Sequence, residues 1–308
     1  MKNILLTGGS GMIGKNFLEH ESCKSHNVIA PTSKELDLLD KKSISSFISK
    51  TNPDVIVHAA GRVGGIQANI AHPIEFLKEN LEMGINIISC AYDSGVLDFI
   101  NLASSCMYPK HAKNPLTESL ILDGSLEPTN EGYALAKIAT TKMCQYISES
   151  KINCNYKTLI PCNQYGRHDK FLEESSHLLP AVIKKIHSAK INDLESVLIW
   201  GDGTARREFM YARDLADFLF FAIKNIDKLP QNINVGLGYD YSIKEYYEAV
   251  ATVIGYKGEF LYDLTKPVGM KQKLVDITLL ENLGWSENTS LIYGINEAYK
   301  FYLEEFDK

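Results

Sequence analysis

The chain has 308 residues, 45% apolar and 23% charged, with a formal net charge of −6: ordinary globular composition, with room for one large α/β domain or a core domain and a smaller lobe. The negative balance argues against a nucleic-acid partner and leaves local Lys and Arg patches to hold a phosphorylated small ligand. Six cysteines (Cys23, Cys90, Cys106, Cys144, Cys154, Cys162) show neither CxxC spacing nor disulfide-scaffold density, and no apolar run approaches the roughly 18 residues of a membrane helix, so a soluble, cytoplasmic protein with reduced thiols and no membrane partner is expected.

In chain order, "NILLT" (3 to 7) reads as a strand that runs into "GGSGMIGK". Gly8, Gly11 and Gly14 fall three apart there, and 12 to 20 reads as a helix. A glycine turn between a strand and a helix lets the backbone approach a pyrophosphate at the helix N-terminus. The next strand, "NVIAP" (27 to 31), is followed by Thr32, Ser33 and Lys34. An NAD enzyme carries an acid near this point for the ribose 2′-OH; two hydroxyls and an ammonium suit a 2′-phosphate, so NADPH is the expected cofactor.

Further strands are read at 54 to 60, 98 to 104 and 156 to 161, and helices at 73 to 94 and 132 to 149. Apolar strands separated by helices predict a doubly wound parallel sheet, the Rossmann architecture. After Pro161 the rhythm breaks into short pieces: "SVLIWGDGTARREF", whose Asp-Gly signals a hairpin, then "NINVGLG" and "GEFLYDL". The expected organisation is a cofactor domain over 1 to 162, rejoined by 206 to 230. A smaller α+β substrate-binding lobe takes 163 to 205 and 231 to 308.

Tyr133 and Lys137 in "NEGYALAKIA" stand four apart on one helical face. An ammonium beside the phenol would pull its pKa down from about 10 and make it a usable proton donor. Ser104, at the end of a strand, supplies a hydroxyl. With the glycine turn, these residues resemble the extended short-chain dehydrogenase/reductase superfamily. "SSCMYPK", "LEPTNEGYALAK", "VGGI", "SHLLPA" and "WGDGTARREF" resemble, in order and over nearly the whole chain, the GDP-L-fucose synthase family.

That resemblance implies NADPH-dependent C4 reduction, with C3/C5 epimerisation, of a GDP-linked 4-keto-6-deoxy sugar. It makes Ser104, Tyr133 and Lys137 the reductase triad, Cys106 the base and His177 the acid of epimerisation. It places Gly8, Gly11, Met12, Ile13 and Gly14 at the pyrophosphate, Ser33 and Lys34 at the 2′-phosphate, and Asp37 and Leu38 at the adenine. Ala60, Gly61, Leu102, Pro161, Asn163, Gln164 and His177 line the rest of the cofactor cleft, beside Tyr133 and Lys137. Val63, Ser105, Asn163, Lys185, Trp200 and Arg207 bind the substrate. A homodimer through 73 to 94 and 132 to 149 is implied too.

Departures from the family pattern are Lys185 for an arginine, Val268 for a substrate-contacting aspartate, and Ser10 and Ser33 for two arginines at the 2′-phosphate. They keep open a C4 reductase of a GDP-4-keto-6-deoxy-heptose with little epimerase chemistry; a UDP-sugar 4-epimerase and a non-enzymatic NADP-sensing module are more remote. His58, His111 and His168 lack partners at metal-ligand spacing, so no metal is expected.

Overall fold

Ile4 to Leu6 and Val55 to Val57 are wholly buried, as strands covered on both faces must be. In the computed structural model, which describes residues 1–171, 176–265 and 270–307, these runs are β1 (Asn3–Thr7) and β3 (Val55–His58). They lie among β2 (Asn27–Ile29), β4 (Asp98–Leu102) and β5 (Asn155–Pro161). Neighbouring strands are parallel, so each connection crosses over through a helix: α1 (Met12–Glu19), α2 (Lys41–Thr51), α3 (Ile66–Ala71), α4 (Pro73–Asp93) and α5 (Glu131–Ser150).

The period-two side-chain alternation divides the core between two faces. Ile4 and Leu6 pack with Phe17, Leu215 and Phe218; Leu5, between them in sequence, joins Ile44, Ile87 and Ile147 on the other side.

Beyond the sheet the chain forms β6 (Asn163–Tyr165), α6 (Leu178–Ile191), β7 (Ser196–Trp200), β8 (Arg206–Arg207), β9 (Phe209–Tyr211), α7 (Ala212–Lys224) and β10 (Asn232–Val235). Then come β11 (Tyr241–Ser242), α8 (Ile243–Ile254), β12 (Glu259–Asp263), β13 (Gln272–Lys273), α9 (Thr278–Asn282) and α10 (Leu291–Phe306). A separate core of Leu179, Val182, Ile199, Tyr246, Val250 and Ile295 holds α6, β7, α8 and α10 together.

Two expectations are corrected. "NINV", grouped with the smaller lobe, is β10, the edge strand beside β5 in a six-stranded sheet of order β10-β5-β4-β3-β1-β2. The Asp202-Gly203 turn closes no hairpin: β7 pairs in parallel with β12, whereas β8 pairs with β11 and β13. Gly201 and Gly203 both take φ of 75°, and Asp202 Oδ1 accepts from Thr204 N and Oγ1 at 2.9 and 2.8 Å. This Asx turn swings the chain from one small sheet to the other.

The chain runs from β1 outward to β2, then returns past β1 to β3. The reversal opens a crevice at the C-terminal ends of β1 and β3, where doubly wound sheets bind ligands.

Candidate active site

The glycine turn lies in that crevice. Gly8 has φ of 77°, and a Cβ on it would stand 2.6 Å from Ala60 N; one on Gly14 would stand 2.2 Å from Gly8 O. These two glycines let the turn, the helix and the β3 loop close on one another. Gly11 differs, since a Cβ there meets only Gly8 O at 3.4 Å, which leaves its face open to a ligand. It caps α1 with no side-chain hydrogen bond, and the first turn, starting at Met12 and Ile13, holds no acid. The N–H groups at this helix end suit a pyrophosphate. The residues therefore fit a dinucleotide.

Ser33 and Lys34 are exposed in the turn after β2. The nearby carboxylate of Glu35 is engaged by Thr32, accepting from its N at 2.8 Å and its Oγ1 at 2.9 Å, which leaves Lys34 as the free-standing charge of that turn's Thr32–Glu35 stretch. Asp37 is exposed, and its Oδ1 accepts from Leu39 N. The Leu38 side chain is buried in the core beneath α2 and α4, and its carbonyl accepts from Asn86 Nδ2 at 3.1 Å.

Four catalytic candidates converge at the ends of β3 and β4. Ser104 caps the short turn Ser105–Met107 by accepting from Cys106 N at 3.3 Å and lies close enough to Tyr133 to pull on its phenol. Lys137 Nζ donates to Leu102 O at 2.8 Å and lies 5.8 Å from the centre of the Tyr133 ring. This corrects the expected electrostatics. The ammonium is spent on a carbonyl and on the ring face, and the phenol is pushed above its ordinary range by burial, then by the charge of Cys106, against the pull of Ser104. Burial also pulls Lys137 down to about 8. Gly61 is at the same spot: a Cβ on it would lie 2.9 Å from Asn80 Oδ1 and 3.8 Å from Lys137 Nζ. Beside Tyr133 opens a cavity of about 200 Å³, lined in part by Asn69, Phe76, Thr129 and Asn130.

The fifth candidate, His177, comes from the opposite wall, as the residue before α6. Burial, followed by the ammonium groups of Lys170 and Lys273, holds its imidazole below the ordinary range. Lys170 Nζ also reaches Val63 O at 3.3 Å, and a Cβ on Gly65 would lie 2.9 Å from Ser176 O. The Val63–Gly65 loop and the segment before α6 thus meet across the crevice.

Asn163 Nδ2 donates to Glu208 O at 2.9 Å, and Gln164 Oε1 is buried with no partner, an acceptor suited to a bound amide or hydroxyl. Pro161 ends β5. Ser105 is buried. Lys185 Nζ donates to Leu198 O of β7, and Trp200, at the end of the same strand, is 52% exposed. Arg207 is fixed by bonds from one guanidinium nitrogen to Arg206 O and Met270 O at 2.7 and 2.6 Å. Val268 lies outside the described residues.

Four residues with positioning contacts escaped the sequence reading. Asn130 Nδ2 donates to Cys106 Sγ at 3.1 Å; it stands in the quoted "PTNEGY", three before Tyr133, and that adjacency was its one signal. Lys273 Nζ reaches the same sulfur at 3.6 Å from 167 residues away, with no local signal. Buried Asn80 clamps the β3 loop through Arg62 N and O. Glu208, 1% exposed, accepts from Leu237 N and Gly238 N on Oε1 and from Val275 N on Oε2. Burial outweighs these bonds and raises its carboxyl to about 7.

The model of the NAD dependent epimerase/dehydratase family matches residues 4–236. The chain is 56% identical over 302 residues to the GDP-L-colitose synthase of Yersinia pseudotuberculosis, spanning 98% of each. It is 51% identical over 302 residues to the GDP-L-fucose synthase of Azorhizobium caulinodans, spanning 98% of this chain and 96% of that one. A solved GDP-mannoheptose C4 reductase from Campylobacter jejuni with NADP bound superposes with a TM-score of 0.87 at 31% identity, covering 97% of this chain and 98% of that one. With the family model over most of its length and full-length relatives at this identity, the chain belongs to the NAD dependent epimerase/dehydratase family, among its GDP-L-fucose synthase-like members.

Proposed function

We propose that the protein is an NADPH-dependent reductase and epimerase of a GDP-linked 4-keto-6-deoxy sugar. The observation that carries this reading is that the Tyr133 phenol feels both the Ser104 hydroxyl and the Cys106 sulfur in one cluster. A simple reductase has no use for the second. When bound, NADPH supplies the hydride that reduces C4.

The chain's own residues do the rest. Tyr133 gives the proton that completes the C4 hydroxyl, and Ser104 orients the carbonyl oxygen. Lys137, anchored on Leu102 O, fixes the floor under the phenol. For epimerisation, the Cys106 sulfur takes the proton from C3 or C5, and the electrons pass into an enolate whose oxygen is hydrogen-bonded by Tyr133 and Ser104. His177 returns a proton from the other face. Arg207 and Lys185 face the diphosphate, and Trp200 offers the base an apolar surface. The cofactor half is 1 to 162 with 206 to 235, the substrate half 163 to 205 with 236 to 308. Two copies associate through the outer faces of α4 and α5.

The departures at Lys185 and Val268, and the likeness to a GDP-mannoheptose C4 reductase, favour as second reading a heptose C4 reductase with little epimerase activity. One experiment separates the readings. Purified protein in deuterium oxide is given NADPH and either GDP-4-keto-6-deoxymannose or the corresponding heptose, with product stereochemistry and deuterium at C3 and C5 read by NMR. Deuterated, epimerised hexose is expected. Reduction of the heptose without deuterium establishes the second reading, and NADPH binding without turnover of either sugar leaves only a cofactor sensor.

A further inference from the structure

Asn130 occupies the position before α5 at which an asparagine side chain ordinarily accepts a hydrogen bond from the first helical turn. It makes no such bond. Its amide is turned so that Nδ2 donates to Cys106 Sγ at 3.1 Å, and its Oδ1 is left buried without a partner. From the other lobe, Lys273 on β13 brings a second N–H donor to the same sulfur at 3.6 Å.

A neutral thiol is a weak acceptor and repays neither arrangement; a thiolate accepts strongly and is favoured by an adjacent cation. β13 is itself held in place. It pairs in parallel with β8, and the backbone two residues on, Val275 N, is bound by buried Glu208 at 3.0 Å. The ammonium therefore reaches the sulfur from a braced strand.

We propose that Asn130 and Lys273 are positioning residues for the carbon-acid step, presenting the Cys106 sulfur to the sugar as a thiolate held by two N–H donors. The proposal rests on the reading of Cys106 as the epimerisation base. The sulfur lone pair bonds the proton on the carbon next to C4, and the C–H electron pair moves into the enolate. The opposite face is then reprotonated by His177. The thiol afterwards loses its proton to water and the imidazole regains one, so no redox partner is involved.

Two readouts test this at fixed neutral pH: the rate of deuterium wash-in at C3 and C5 at saturating substrate, and, without substrate, the rate of Cys106 carbamidomethylation followed by peptide mass spectrometry. In Lys273→Gln both are expected to fall about tenfold, because the sulfur loses its cationic neighbour. Lys273→Arg, which keeps the charge, should recover most of each, and Asn130→Ala should slow both several-fold. NADPH binding by fluorescence reports that each variant is folded, and the arginine variant keeps the test alive where a truncation is not. Wild-type exchange in Lys273→Gln and Asn130→Ala overturns the proposal, as does slowed alkylation with exchange intact. Cys106→Ser isolates the underlying reading: if it retains exchange, the base assignment itself fails, whereas exchange lost in Cys106→Ser but kept in the other two variants overturns only the roles of Asn130 and Lys273.

Discussion

The floor of the crevice and its roof are built in opposite ways. The floor is the C-terminal edge of a continuous sheet: Thr7, His58 and Leu102 end adjacent strands, and Ser104, Tyr133 and Lys137 stand on or beside them within 34 residues of one another. The roof is gathered from short, distant pieces. Arg207, Lys273 and the turn at Leu237–Gly238 lie in two-residue strands or loops, and the carboxylate of Glu208 ties them together. Rigidity in the floor comes from parallel pairing and apolar burial on both faces, whereas in the roof much of it rests on one buried polar group. Damage should therefore look different in the two places, lowering the chemical rate in the floor, and lowering stability and substrate affinity together in the roof.

The largest effect is expected in the floor. Tyr133→Phe removes the proton donor and keeps the ring, so its edge contact with Phe76 at 6.4 Å survives. Reduction should fall about 10²- to 10⁴-fold, the usual contribution of a positioned acid, with the melting temperature unchanged. Stopped-flow oxidation of NADPH in a single turnover measures it. A variant that lost stability in parallel would erase the distinction between floor and roof.

The same division governs what could be read from sequence. A four-residue spacing on a helix, a hydroxyl at a strand end and glycines three apart are local patterns, and local patterns placed Tyr133, Lys137, Ser104 and the phosphate turn on their elements. The field around them is not local. Lys137 turned out to spend its charge on Leu102 O, because where a long side chain ends depends on the strand it packs against. "NINV" reads as a strand in any setting, and its partner β5 lies more than 70 residues away. The Asp-Gly turn was legible as a turn, yet its flanks found partners elsewhere. Asn130 was visible in a quoted motif, but nothing in "PTNEGY" reveals that the side chain forgoes its helix for a sulfur.

A second, smaller effect sharpens the roof. Glu208→Ala leaves Leu237 N, Gly238 N and Val275 N buried without their acceptor, and each orphaned donor costs about 1–3 kcal/mol. A loss of about 3 kcal/mol in urea unfolding is expected, with KM for the sugar nucleotide raised as Arg207 and β13 lose their brace. The rate at saturation should change far less than in Tyr133→Phe. Glu208→Gln keeps one side-chain acceptor and should fall between. Unchanged KM with lowered stability would make Glu208 a support of the fold alone.

The smallest effect uses pH to compare one histidine of the floor with one of the roof. His58 belongs to the floor: it is fully enclosed, hydrogen-bonded to Thr7 Oγ1 at 2.8 Å, and lowered to about 3 by burial and then by the charge of Lys137. Between roughly pH 6.5 and 3 the unfolded chain binds a proton at this residue that the folded chain does not, so folding stability must drop as pH falls through that window, by about 1.4 kcal/mol per unit once well inside it. His177, at the roof, is also lowered, but in the proposed mechanism it acts on the sugar, so its effect is read in the rate. Urea unfolding of wild type and His58→Asn at pH 7 and pH 5 isolates the floor's share, because every other titrating group cancels in the difference. Wild type should lose about 2 kcal/mol more than the variant over that interval, while deuterium wash-in keeps the same pH profile in both. Equal pH slopes in the two proteins would mean that the His58 imidazole is not kept neutral by its enclosure, and that the floor is less sealed than its packing implies.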